Sequence, residues 1–296
     1  MNRENALRII QYAVETTKPR WIQYSESWKY IDSVFILRGY EQQGFQLFKM
    51  RPILERFNLL SINALGNILS KCPNIKTYSR HFAGSLTSEF YINLKNGTCG
   101  LEGEKFFEAI KLFLNKKIGS PGRTFWKLLY QLLQSCNYLK QNYSGCFEKY
   151  LLKKYQAYTK QFGLTEEDLL KLSVNEWEQF LLKAKPWNEL IGIGPNMFDF
   201  IMGDFVEAQF VINSFKFDSS NQYFLTTTGI AKLLDPFDRD TTITFIRSLK
   251  MHFNLREINK GIYTFCSKTE SNNFGFCHDL CKCSICAVNT ICEKNF

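Results

Sequence analysis

The chain has 296 residues, of which 45% are hydrophobic and 22% charged, and its formal net charge is +9. This composition excludes a mostly disordered chain, a collagen-like fibre and a coiled-coil rod. No apolar run approaches the roughly 20 residues of a membrane-spanning helix. The segment MNRENALRIIQY lacks the apolar core and cleavage site of a secretory signal. We therefore expect a soluble cytoplasmic monomer with no membrane partner.

The basic charge is combined with many aromatic side chains, including 27 Phe and 14 Tyr. Such a chain suits a polyanion whose bases can be stacked upon. The Lys, Asn and Phe bias of an AT-rich genome produces the same composition. Charge alone therefore leaves nucleic-acid binding open.

Helical periodicity dominates the first 70 residues, and we predict a mainly α fold. Apolar residues recur at helical spacing in NALRIIQYAVETT and in LERFNLLSINALGNILSKC. Aromatic and basic residues between these segments can line a groove or a base pocket, but an aromatic helical core with a basic outer face explains them equally well. The candidate pocket residues are Trp21, Tyr24, Trp28, Arg38 and Tyr40.

The middle of the chain is predicted to be helical with one exception. EFYINLKNGT alternates apolar and polar residues and ends in Asn-Gly, which favours a small β-hairpin or an irregular insertion. Helical patterns resume in EKFFEAIKLFLNKK, TFWKLLYQLLQSCNYL and CFEKYLLKKYQAYTKQF. Thr165 with Asp168, and Ser173 with Glu176, have the spacing of capping boxes, which predicts two successive helices.

A tight glycine turn follows in WNELIGIGPNMFDFIM, residues 187–202. We expect a helix to end near Leu190, the turn to contain Gly192 and Gly194, and a new helix to begin at Pro195. The N–H groups of both glycines then face outward at a helix N-terminus, an arrangement that holds phosphate. This pattern is typical of a helix-hairpin-helix, which grips the DNA backbone independently of sequence.

Six of the ten cysteines are concentrated at the end of the chain, and the other four are scattered. In an intracellular protein this distribution indicates metal ligation rather than a disulfide framework. Four thiolates suit a 4Fe–4S cluster or a tetrahedral zinc ion, and spacing alone does not separate the two. Cys281 and Cys266 are alternatives for the first ligand. The predicted ligands are Cys277, Cys283, Cys286 and Cys292.

The turn, a downstream aspartate and the terminal cysteines, in this order, resemble the helix-hairpin-helix DNA glycosylase superfamily, which contains the endonuclease III class. In that family a catalytic aspartate follows the hairpin at the start of the next helix. Here Phe217-Asp218 takes the place of the family's Val-Asp, and residues 219–228 form the expected helix. The resemblance implies that Asp218 is catalytic. By itself, an Asp before Ser-Ser is most often a helix cap, and the two roles are compatible.

The chain departs from the family pattern at two positions. Bifunctional members carry a lysine where this chain has Asn196, which implies no Schiff base and a monofunctional glycosylase that uses water. The family's iron–sulfur loop reads C-x6-C-x2-C-x5-C, and the first spacing here is one residue shorter. The shared order along the chain favours 4Fe–4S over zinc. The resemblance also assigns DNA contacts to Gly192, Gly194 and Asn196, and we add Lys216 because it lies close to Asp218.

The resemblance also implies a domain arrangement. We predict two interlocked helical domains, with residues 1–115 as an N-terminal helical and aromatic region, 116–215 as the helical barrel with the hairpin, and 216–296 as the aspartate helix and cysteine loop. The unusual first hundred residues suggest the divergent branch associated with phage DNA hypermodification. That branch includes α-glutamyl/putrescinyl thymine pyrophosphorylases and Brig-type defence glycosylases.

The expected function is hydrolytic excision of a modified base from double-stranded DNA, which leaves an abasic site. The best match is a hypermodified phage pyrimidine such as glucosylated hydroxymethylcytosine. Two alternatives stay open at this point. One is a transferase that modifies hydroxymethyl bases in phage DNA and leaves an adduct without an abasic site. The other is a non-enzymatic DNA-binding module, which binds without releasing a base.

Overall fold

The computed structural model describes residues 1–26, 37, 39–41, 43, 45–72, 90–115, 123–203, 215–267 and 275–295. These residues are mainly α-helical and include no β-strand, which confirms the predicted fold class. Within these ranges, no helix combines the length and the apolar character that a bilayer crossing requires.

The helices are short to medium in length and follow one another through turns. The first six are α1 (Arg3–Glu26), α2 (Phe45–Arg56), α3 (Ile62–Ser70), α4 (Gly100–Asn115), α5 (Arg123–Tyr143) and α6 (Phe147–Thr159). The next are α7 (Glu166–Leu170), α8 (Val174–Ala184), α9 (Pro195–Met202), α10 (Ser219–Thr228), α11 (Arg239–Ser248), α12 (Leu255–Cys266) and α13 (Leu280–Ser284). A 3₁₀ helix, Ile230–Leu233, lies between α10 and α11.

The chain forms two compact units. Unit 1 consists of residues 1–29, 171–174 and 203–296, and unit 2 of residues 30–170 and 175–202. Unit 1 therefore contains α1 together with α10 to α13. Unit 2 contains α2 to α7, most of α8, and α9, which follows the glycine turn.

In unit 1, α1 packs closely along α12. Ala6, Ile10 and Val14 recur every four residues on one face of α1 and are fully buried. Gly261 of α12 permits the close approach, because a Cβ there would lie 2.8 Å from the Cα of Val14. The buried Thr17 hydroxyl donates to the Ala13 carbonyl at 2.8 Å, so this polar side chain is satisfied within the core.

In unit 2, α3 packs against α5 in the same way. A Cβ on Gly66 would lie 2.8 Å from the carbonyl oxygen of Cys136, so only glycine fits this crossing without displacement. The predicted capping box before α7 is confirmed. Thr165 N donates to Asp168 Oδ2 at 2.8 Å, and Asp168 N donates to Thr165 Oγ1 at 3.3 Å.

The β-hairpin predicted for EFYINLKNGT is wrong, because residues 90–95 are helical. Phe90 and Leu94 lie one helical turn apart and are both buried. Their spacing of four residues fits the helical period as well as the strand period. The helix is favoured because it buries both side chains on one face. Gly97, with φ +69°, makes the turn that leads toward α4.

The helical spacing in LERFNLLSINALGNILSKC is confirmed, but it belongs to two helices. Helix α2 ends at Arg56, and Asn58 takes a left-handed conformation with φ +56°. Ser61 then caps α3 by accepting the N–H of Ala64 at 3.0 Å. The polar Asn and Ser therefore break an otherwise continuous apolar pattern.

Two of the cysteines that the sequence analysis treats as scattered are bonded to each other. Cys72, just after α3, forms a disulfide with Cys99, just before α4, and both side chains are buried. The sequence analysis made no pairing for these two residues, which are distant in sequence.

Candidate functional site

The glycine turn of unit 2 is held through its carbonyl groups. The Tyr40 hydroxyl donates to the Ile191 carbonyl at 2.6 Å and lies 2.6 Å from Ser135 Oγ. The Gln43 side-chain amide donates to the Gly192 carbonyl at 3.1 Å. Burial raises the pKa of Tyr40 above its usual value, so the hydroxyl stays neutral and keeps the proton that it donates.

The opposite face of the turn presents backbone N–H groups. Helix α9 begins at Pro195, as predicted, and its first bond runs from Phe198 N to the Gly194 carbonyl at 2.9 Å. Within the described ranges, the N–H groups of Gly192, Gly194 and Asn196 have no hydrogen-bond partner in the protein. A helix start with unpaired N–H groups attracts an anion.

The two glycines of the turn are needed for different reasons. Gly192 has φ +83°, and a Cβ there would lie 2.5 Å from Gln131 Oε1, so both conformation and space require glycine. A Cβ on Gly194 would meet no heavy atom within 4 Å. Glycine at 194 therefore leaves the backbone open to an approaching group rather than relieving a clash within the protein.

The helix before the turn ends earlier than predicted. Helix α8 stops at Ala184 and Lys185 is left-handed with φ +44°, so residues 186–190 form turns rather than helix. Tyr150 of α6 bonds to this segment, because its hydroxyl contacts Glu189 Oε2 at 3.0 Å. Lys154 forms an ion pair with the same carboxylate.

Asp218 lies in unit 1 at the N-terminus of α10. Its Oδ1 accepts the N–H of Asn221 at 2.9 Å, and α10 spans Ser219–Thr228, which confirms both the predicted cap and the predicted helix. Its Oδ2 lies 3.7 Å from Lys216 Nζ, and the two side chains are 19% and 17% exposed. One carboxylate oxygen is thus fixed on the helix, and the other faces a cation at a partly open surface.

The backbone before the aspartate is fixed by side chains that the sequence analysis missed. The Lys216 carbonyl accepts two amide hydrogen bonds, from Asn221 at 2.7 Å and from Asn259 at 2.9 Å. The carbonyls on either side of it accept from Arg239 at 3.2 Å and from Gln222 at 3.1 Å. Asn259 is almost fully buried within α12. The sequence signal for such a residue is an amide within an apolar helix pattern, because a buried amide needs a hydrogen-bond partner.

The four predicted metal ligands line one pocket in unit 1. Cys281 is exposed and lies outside it, so it is a poor substitute for a ligand. The pocket encloses about 20 Å³, and its remaining wall is mainly apolar, with contributions from Ile9, Phe265, Phe276 and Val288. In the part of the chain that the structure describes, no three Cys, His, Asp or Glu side chains are assembled as a metal site.

Three of the four pocket thiols favour the neutral form. The hydrogen bond with Cys266 and burial raise the pKa of Cys277, and burial raises the pKa of Cys286 and of Cys292. A bound cation reverses this preference, because metal ligation takes the thiolate and releases the proton. The donor set therefore suits a thiolate-bound metal.

An unsatisfied hydroxyl also fits a metal–sulfur group. Thr227 lines the pocket and is 1% exposed, but its Oγ1 has no hydrogen-bond partner among the described residues. The adjacent Thr228 donates to the Phe224 carbonyl at 2.7 Å. Asn289 Nδ2 donates to the Cys283 carbonyl at 2.5 Å and lies 3.8 Å from its Sγ. The pocket thus offers hydrogen-bond donors to sulfur as well as thiols.

The predicted base-pocket residues fall in different parts of the chain. Trp21 and Tyr24 belong to α1 in unit 1, and Trp28 and Arg38 lie outside the described residues. Tyr40 is fully buried in unit 2 and bonds to the glycine turn. We therefore assign Tyr40 to support of the turn.

Comparison of the chain with protein-family models, with curated proteins and with solved structures finds no match. Function is therefore inferred from the local geometry of the turn, the capped aspartate and the cysteine pocket.

We expect Tyr40→Phe to lower the free energy of unfolding by about 1–3 kcal/mol, because it leaves a buried carbonyl and a buried hydroxyl without this partner. Tyr91→Phe is the matched control. The Tyr91 ring packs on Phe107 and Trp126, and its hydroxyl has no partner in the described ranges. Urea unfolding followed by circular dichroism measures both variants. Equal loss in the two would show that the Tyr40 hydroxyl does not support the turn.

Proposed function

We propose that the protein is a monofunctional DNA glycosylase that flips a modified base out of double-stranded DNA and hydrolyses its N-glycosidic bond. One observation carries the proposal. Asp218 caps α10, and Thr227 and Thr228 near the other end of the same helix line the four-cysteine pocket. The resemblance leads one to expect this pairing of a helix-capping aspartate with a cysteine loop after a glycine turn.

The glycine turn supplies the grip on DNA. A backbone phosphate accepts hydrogen bonds from the unpaired N–H groups of Gly192, Gly194 and Asn196, and the start of α9 adds its favourable dipole. The net charge of +9 adds attraction that is independent of sequence. This grip holds the strand while the target nucleotide leaves the base stack.

Asp218 supplies the charge that the reaction needs. As the base leaves, positive charge develops on the deoxyribose, and the carboxylate stabilises it and orients or deprotonates the attacking water. Asn221 N–H fixes Oδ1, which leaves Oδ2 to face the sugar and the water. In the proposed complex Lys216, which lies 3.7 Å from Oδ2 here, exchanges this contact for a flanking phosphate. The products are a free base and an abasic site.

The cysteine pocket is the proposed cofactor site. Cys277, Cys283, Cys286 and Cys292 would hold a 4Fe–4S cluster, with a single zinc ion as the alternative. When bound, the group cross-links the loop and takes no part in the bond cleavage. The proposed substrate is phage DNA with hypermodified pyrimidines, of which glucosylated hydroxymethylcytosine is the first to test, and the proposed location is the cytoplasm.

We expect Asp218→Asn to lower base release at least about 100-fold while duplex binding persists, because the variant loses charge but keeps a good helix cap. Asp238→Asn is the matched control, since Asp238 caps α11 by accepting the Thr241 N–H at 2.8 Å. Mass spectrometry of bases released from unmodified, hydroxymethylcytosine-containing and glucosylated DNA measures the effect.

The outcomes of this experiment separate the possible functions. Release by the wild type and by Asp238→Asn, but not by Asp218→Asn, supports the glycosylase. A DNA adduct without an abasic site indicates a transferase instead. Duplex binding without release from any of the three DNAs indicates a binding module.

We expect Cys283→Ser to lose the bound metal and Cys281→Ser to retain it, because Cys283 lines the pocket and Cys281 does not. Iron, acid-labile sulfide and zinc per chain are measured in protein purified without air. A colourless protein with one zinc per chain would show that the pocket binds zinc instead of an iron–sulfur cluster. Equal metal content in the two variants would contradict the assignment of this pocket as the metal site.

A further inference from the structure

A polar cleft lies beside the glycine turn, within unit 2. Its volume is about 340 Å³, and it separates the first two turns of α5 from the turn itself. Thr124, Lys127 and Gln131 of α5 line one side, and Ile191 and Gly192 line the other. Small-molecule sites begin at about this volume, which is larger than a single phosphate group needs.

The lining of this cleft favours an anionic ligand. Among the described residues that line it, Lys127 is the only charged one; it is exposed, and its ammonium has no ion-pair partner in the described part of the chain. Gly192, whose N–H is unpaired within the described ranges, lines the same cleft. No acidic side chain stands among the lining residues that the structure describes, so none of these would repel a phosphate.

The cleft is also preformed. Tyr40 and Gln43 donate to the carbonyls of Ile191 and Gly192, so two acceptors of the turn are already bonded within the protein. The Gln131 side chain is 5% exposed, and its Oε1 would lie 2.5 Å from a Cβ on Gly192, so the floor of the cleft is tightly packed. A ligand therefore meets donors that are already in position.

We propose that this cleft binds one nucleotide of the DNA strand. Its phosphate is the one that the turn binds, with the Lys127 ammonium as a further contact, and the sugar or base edge lies against Thr124 and Gln131. The proposal rests on the proposed function, because it extends the grip of the turn along the same strand. It adds a base-independent contact to those of the turn.

The salt dependence of DNA binding tests this contact. Each phosphate contact contributes about 0.9 to the slope of log affinity against log salt. We expect Lys127→Gln to reduce the slope by about 0.9, so between 50 and 200 mM NaCl the wild-type affinity falls about 3.5-fold further than that of the variant. The control is Lys140→Gln, a lysine at the other end of α5 and outside the cleft. Fluorescence anisotropy with a short unmodified duplex measures both.

The result separates this inference from the proposed function, because no base release is needed for the measurement. An unchanged slope in Lys127→Gln, with duplex binding intact, overturns the cleft and leaves the glycosylase standing. Equal loss in Lys127→Gln and Lys140→Gln also overturns it, because the effect is then one of net charge. Failure of the wild type to bind duplex DNA overturns both.

A separate observation carries a second inference, that the Thr227 hydroxyl donates a hydrogen bond to sulfur of the metal centre. It rests on the metal of the proposed function. The hydroxyl is buried in the cysteine pocket without a partner in the described residues, whereas Thr228 beside it already bonds to the Phe224 carbonyl. Outer hydrogen bonds of this kind raise metal affinity 10- to 100-fold. Thr227 is thus a positioning residue.

Matched valine variants test this role. We expect Thr227→Val to release metal to a chelator about tenfold faster or more, with unchanged unfolding of the metal-free protein. Thr228→Val loses its helix bond, so we expect weaker folding but wild-type metal release. Metal release from Thr227→Val at the wild-type rate overturns the inference alone. A wild type that holds neither iron nor zinc overturns the metal centre as well.

Discussion

The ends of α10 are fixed from outside the helix, and the local geometry of unit 1 depends on this constraint. The N–H groups of Asn295 and Glu293 donate to the carbonyls of Thr227 and Thr228 at 2.9 and 3.2 Å, so the last residues after the cysteines are tied to the helix. Lys232 Nζ holds the Glu293 carboxylate at 2.6 Å. Asp218 closes the other end. A helix of ten residues spans about 15 Å, and over that length it links the cysteine loop to the carboxylate.

Unit 2 uses a related device on the glycine turn. In both units a helix start presents polar groups at a partly open surface, while side-chain donors hold the backbone just before it. Tyr40 and Gln43 occupy carbonyls of the turn, and Asn221 and Asn259 occupy the Lys216 carbonyl. Backbone acceptors are thereby consumed inside the protein, which leaves donors and a carboxylate available outside.

Local patterns predicted the local structure. The helical period, the start of α9 at Pro195 and the cap of α10 by Asp218 follow from interactions between residues a few positions apart, and they are confirmed. The bond from Tyr40 to a carbonyl 151 residues away, and the disulfide between Cys72 and Cys99, depend on tertiary packing that no short pattern encodes. The prediction for residues 90–95 is wrong for a related reason. Its alternation fits two periods, and only burial decides between them.

The packing of α1 on α12 has a consequence for synthesis of the chain. Helix α1 leaves the ribosome early, but its partner begins only at Leu255, more than two hundred residues later. At 5–20 residues per second this interval is on the order of 10–50 s. During that time the apolar stripe of Ala6, Ile10 and Val14 has no α12 to cover it. Unit 2 is synthesised within the same interval, so the nascent chain presents one finished unit and one exposed apolar helix, a substrate for chaperones.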